Sequence, residues 1–124
     1  THNLPALTLA AKTSKKAAAV GFDWENPDQV MDKIEEELNE IRQARDEHDQ
    51  AAIEEEVGDL LLAVTNLARH LQVNPEQALR RANRKFITRF NQLEASLHEA
   101  SEAWDDLDLQ QLETRWQQIK SKSA

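Results

Sequence analysis

Apolar residues recur at helical spacing along almost the whole chain, and this constrains the fold more than any other feature. With Val30 at zero and about 100° per residue, Ile34, Leu38 and Ile41 fall on one stripe. Ile53, Val57, Leu60, Val64 and Leu71 make a second stripe, and Leu79, Ala82, Phe86, Phe90, Leu93 and Leu97 a third. Only two glycines and three prolines occur in 124 residues, and alternating β-branched runs are almost absent. The chain therefore reads as all-α, a bundle of four to five helices. Its length suits one domain with one core, expected to span residues 1–124.

The punctuation divides the chain. Leu4 to Val20 is predicted helical, ended by Gly21 as a C-cap. Asn26-Pro27 and Asn74-Pro75 pair an N-cap residue with proline at the first helical position. The second helix is expected to run to about Arg45, and the third from about Gln50 to Leu71 after the polar link Asp46–Asp49. Asp105 to Asp108 interrupts the pattern, and a last helix from about Leu109 to Lys120 turns Leu112, Trp116 and Ile119 inward. Residues 1–3 carry no structural signal, and 121–124 are expected to fray. Phe22 and Trp24, in a connection, read either as a hydrophobic plug or as a stacking surface for a planar ligand, the plug being the commoner use. Leu62 falls on the back of the third helix, which suggests a second packing surface and hence an oligomer.

Two acidic runs sit inside these helices. Glu37 and Glu40 flank the apolar stripe of the second helix at i and i+3, and Glu56 and Asp59 flank that of the third. If the two helices pack antiparallel, four carboxylates converge. Two such groups about 4 Å apart repel by roughly 4 kcal/mol at an effective dielectric near 20. Protonation or a bound cation relieves this, and a hard divalent ion such as magnesium suits an all-oxygen site that shares its remaining positions with water and phosphate. Acidic runs are also ordinary solvated helix faces, the expected role of Glu35, Glu54 and Glu55.

Net charge is −8, which argues against non-specific nucleic-acid binding. A polyphosphate ligand would need local cations. Lys85 and Arg89, at i and i+4, are placed to meet one. No stretch approaches the roughly 20 apolar residues of a membrane-spanning helix, and no secretory hydrophobic segment is evident. Absence of cysteine excludes disulfides and thiolate metal sites and fits a cytoplasmic location.

Read in order, Gly21-Phe22-Asp23-Trp24, Val30-x-x-Lys33-x-x-Glu36-Glu37-x-x-Glu40 and Glu56-x-x-Asp59-Leu60-Leu61 resemble the MazG family of all-α nucleoside triphosphate pyrophosphohydrolases. Val64-Thr65-Asn66-Leu67-Ala68-Arg69, Ala82-Asn83-Arg84-Lys85-Phe86-x-x-Arg89-Phe90 and Trp116-x-x-Ile119-Lys120 extend the likeness to nearly the whole chain. The resemblance implies a dimeric bundle that hydrolyses nucleoside triphosphates to the monophosphate and pyrophosphate, with magnesium, or manganese as an alternative, as cofactor. It implies Glu37, Glu40, Glu56 and Asp59 as metal ligands and Lys85 and Arg89 against the phosphates. Asn66, Trp116, Lys120 and Lys33 would be further substrate contacts; which group orients the water stays open between Glu36 and Glu40 on the chemistry of the residues. Leu4-Pro5-Ala6-Leu7 and Gly-Phe-Asp-Trp are most like the C-terminal domain of tandem members, which leaves two expectations open: a piece of a longer tandem protein, or a domain that stands alone. Ala52 stands where relatives of this type often carry lysine. Three other readings remain: a non-catalytic nucleotide-binding or regulatory bundle on the same scaffold, a purely structural bundle, and a di-iron carboxylate bundle. The last is disfavoured because no histidine follows a glutamate at i+3.

Overall fold

The computed structural model describes residues 3–122, so what the sequence suggests for residues 1–2 and for fraying at 123–124 lies outside them. The described chain is all-helical: α1 (Ala6–Ala19), α2 (Pro27–Asp46), α3 (Gln50–His70), α4 (Pro75–Glu99), a 3-10 turn (Trp104–Asp106) and α5 (Leu109–Lys122). It divides into two compact units, Thr1–Ala78 and Leu79–Ala124.

Local chemistry sets the boundaries. α1 starts two residues later than expected because Pro5, held extended at φ −55° and ψ 148°, precedes its first turn. It ends in a Schellman motif: Phe22 N–H donates to the Ala17 carbonyl and Gly21 N–H to that of Ala18. Gly21 itself lies at φ 89°, a conformation strained for any side chain. Asn26 caps α2 by accepting the Gln29 N–H at 3.0 Å, with Pro27 next to it. Asp49 caps α3 through Ala52 N–H at 3.1 Å, after His48 turns the chain at φ 56°. Asn74 Oδ1 accepts from Gln77 N–H at the start of α4. Asp108 and Gln111 form a reciprocal capping box on α5. That helix reaches Lys122, two residues beyond the expected end.

In the first unit α2 and α1 both pack on α3. Val30 is fully buried, Ala44, Ala63 and Thr65 are buried too, and Thr65 Oγ1 donates back to the Leu61 carbonyl at 2.9 Å. The expected apolar stripe of α3 is not the buried one. Val57, Val64 and Leu71 are 39–50% exposed, whereas Ala63 and Thr65 are buried. Residues 60–64 are apolar on every side of the helix, so the periodicity did not single out one face. Leu62 on the back face is 47% exposed. In the second unit Leu93 and Leu97 are buried. An aromatic series joins its elements: Phe86 lies 5.4 Å from Trp116 and 6.4 Å from Phe90, which stacks on Trp104 at 5.6 Å.

Candidate functional site

The link Glu47-His48-Asp49 turns α3 back antiparallel to α2, so their acidic flanks meet. Glu37 is 3% exposed. Glu37, Glu56 and Asp59 each offer a carboxylate oxygen, and these oxygens lie within 4.8 Å of one another. Glu40 stands beside this group and acts on the carboxyls of Glu56 and Glu37.

Charge is distributed unevenly across the cluster. Lys33 Nζ reaches Glu37 Oε1 at 2.9 Å and, more weakly, Glu36 Oε1 at 3.5 Å. The Lys33 bond holds the Glu37 carboxyl below its usual range, and Glu37 in turn raises the lysine. Glu56 has no such cation. Its contacts with Glu40 and then Glu37 push it up to about 7. Oε2 of Glu37 and Oε2 of Glu56 are both buried without a hydrogen-bond partner. Buried oxygens left unpartnered beside a crowded carboxylate set suit a hard cation, which would replace the proton on Glu56 and fill both vacant acceptors.

The cluster opens on a cavity of about 670 Å³ in the first unit, which Lys33, Glu37, Asp59 and Asn66 help to line. Phe22 and Trp24 lie along its wall, 82% and 42% exposed, so neither is the plug that their connection suggested. Arg69 also lines it, bonded through both terminal nitrogens to Asp23, with His70 Nε2 3.1 Å from Asp23 Oδ1. Sequence reasoning gave Asp23, Arg69 and His70 no role. Asp23 and Arg69 stand in the matched motifs, yet no spacing rule links positions 46 residues apart.

Glu36 lies outside the cluster, 58% exposed at its side chain. Lys85, Arg89, Trp116 and Lys120 belong to the second unit. Lys85 and Arg89 are one turn apart on α4. On α5 Trp116 packs against Phe86, with Lys120 one turn further on.

Fold and site together define an all-helical protein equipped to hold a cation at the mouth of a ligand-sized cavity. Residues 25–93 match the model of the MazG nucleotide pyrophosphohydrolase domain. The chain belongs to that family. It is 42% identical over 117 residues to the nucleoside triphosphate pyrophosphohydrolase/pyrophosphatase MazG of Thermotoga maritima, covering 94% of this chain and 45% of that protein. It is 46% identical over 121 residues to a nucleoside triphosphate pyrophosphohydrolase of Escherichia coli, covering 96% of this chain and 46% of the relative. The chain thus spans about half the length of the curated relatives it matches.

Proposed function

We propose that this chain is a nucleoside triphosphate pyrophosphohydrolase, acting on ribo or deoxy substrates and releasing the monophosphate and pyrophosphate after water attacks between the α and β phosphates. The observation that carries the reading is the carboxylate group of Glu37, Glu56 and Asp59, with two unpartnered buried oxygens, at the cavity that Asn66 also lines. Family membership supports it, as do the names of the two relatives.

Glu37, Glu56 and Asp59, with Glu40 at the edge, would hold magnesium, or manganese in its place. When bound, the ion would neutralise charge on the phosphate oxygens and acidify the attacking water. Lys33 keeps Glu37 ionised and oriented. Glu40, which acts on Glu56, would orient the water in preference to exposed Glu36. Lys85 and Arg89 would bind the phosphate chain, and Asn66, Trp116 and Lys120 would complete the substrate contacts. Phosphoryl transfer depends on such positioning and charge stabilisation more than on a covalent nucleophile. We extend the proposal to a homodimer, supported by the exposed apolar side chains of α3.

The test is pyrophosphate release from a panel of triphosphates, with and without magnesium. Release that depends on the ion supports the proposal. Nucleotide binding without release in any ion would favour the non-catalytic bundle, a reading consistent with the missing cation at Ala52.

A further inference from the structure

The connection between α1 and α2 is fixed at both ends. At its start the Schellman turn ties Gly21 and Phe22 to the last turn of α1. In its middle Asp23 is held from α3. Arg69 donates two N–H bonds to the carboxylate, Nη1 to Oδ2 at 3.0 Å and Nη2 to Oδ1. His70 Nε2 lies 3.1 Å from Oδ1, and the Trp24 N–H donates to the same oxygen at 2.8 Å. Asp23 is therefore ionised, its carboxyl held far below the usual range by Arg69, and His70 must present an N–H to it.

The same guanidinium reaches the site. Arg69 Nη2 lies 3.4 Å from Asn66 Oδ1. Arginine only donates, so this contact orients the amide oxygen toward Arg69 and leaves the Asn66 NH2 as its other face. The Nε–H of Arg69 is buried without an acceptor. Asp59, Asn66 and Arg69 all line the cavity, and ten residues of α3 separate the first from the last, about 15 Å at roughly 1.5 Å per residue. One end thus gathers the carboxylates, with the Oε2 atoms of Glu37 and Glu56 buried and unpartnered. The other lacks a hydrogen-bond acceptor, at Arg69, and carries two exposed aromatic rings. A ligand with a cation-bound polyphosphate at one end and a planar group bearing acceptor oxygens at the other satisfies both.

We propose that Asp23 is a positioning residue for the nucleoside end of this cavity: gripped by Arg69 and His70, it sets the Phe22–Trp24 wall and, through Arg69, the orientation of Asn66. This rests on the pyrophosphohydrolase reading. Asp23 touches no reacting atom, so its loss affects nucleoside recognition and leaves the polyphosphate end intact.

Asp23→Asn keeps the shape and the acceptor for Trp24 but removes the charge that holds Arg69 and His70. Four quantities are to be measured in the wild type and the variant: KM, kcat, and the magnesium-dependent Kd of an α,β-methylene nucleoside triphosphate and of inorganic tripolyphosphate. The inference expects the analogue Kd and the KM to rise by about tenfold or more. The Kd of tripolyphosphate, which has no nucleoside, should change by less than about twofold, and kcat should fall by less than KM rises. Asp23→Glu, which keeps the charge, should fall between. Equal loss of both ligands, a fall confined to kcat, or no change overturns it. If Asp23→Asn does not fold, His70→Gln removes one arm of the grip, and the same split, smaller, is required of it. Wild-type protein that binds tripolyphosphate but neither binds nor cleaves nucleotides would instead refute the pyrophosphohydrolase reading, and the inference with it.

Discussion

Because Glu40 and Glu37 crowd Glu56, its carboxyl stays protonated to about pH 7, whereas an unperturbed glutamate ionises near 4.5. A group raised in the folded state stabilises fully below its unfolded value and loses that contribution as pH rises through the folded one. Glu56 therefore favours the ion-free fold below about 4.5, and this is lost as pH rises through about 7. Glu37 and Asp23 are lowered, so their contributions are present above their ordinary values and are lost only on acidification. Magnesium binding at pH 6 should displace the Glu56 proton, and apparent affinity should climb with pH until about 7. Calorimetry in two buffers of different ionisation heat checks this, and no proton release at pH 6 would contradict it. Glu37→Gln replaces one carboxylate oxygen of the proposed metal site with an NH2 group and removes the negative charge that pairs with Lys33. Pyrophosphate release should drop by about 100-fold or more, and the magnesium-induced rise in melting temperature should shrink with it. The meeting of Glu37, Glu56 and Asp59 was legible because i and i+3 on a helix fix a shared flank before any tertiary contact is known. The Asp23 grip was not legible: it joins a loop to a helix across 46 and 47 residues, and no periodicity reports such a contact.

At the level of elements, caps were the readable part. Asn26 and Asn74 each accept an N–H three residues on, as expected, and Gly21 supplies the left-handed residue at the end of α1; Asp49 caps α3 in the same way, although the sequence alone marks it only as part of a polar link. Asn26→Ala should cost about 1 kcal/mol in chemical denaturation, with an unchanged m-value. The break after α4 was legible as a break but not in its form. Ser101 at φ 55° turns the chain, and the Asp106 carboxylate accepts the Ala103 N–H at 2.8 Å to start a 3-10 turn that apolar spacing does not encode. The inner face of α4 was only half readable. Leu93 and Leu97 are buried, but Leu79, Phe86 and Phe90 on the same stripe are 39–58% exposed. Leu97→Ala should therefore destabilise by about 2–4 kcal/mol, well beyond the effect of Leu79→Ala, and thermal melts of the two variants compare them directly.

For the whole molecule, exposed apolar surface is the dominant fact. Leu61, Leu62 and Val64 on α3 and Phe86 and Ile87 on α4 are 46–58% exposed. The proposed homodimer predicts concentration-dependent sedimentation, and a monomer at every concentration would sink it. Among the described residues no helix is long and apolar enough to cross a membrane. The antiparallel pair of α2 and α3 has a last consequence, for the order of events in time. All three clustered carboxylates come from one stretch of 23 residues, Glu37 to Asp59, turned by a three-residue link. Closing so short a loop is among the fastest steps available to a refolding chain, and contacts this local carry little entropic delay. The carboxylates should thus be brought together, and begin to repel, while the remaining helices are still loose. Divalent cations present during refolding should speed it rather than merely stabilise its product, an effect that stopped-flow traces with and without magnesium would separate.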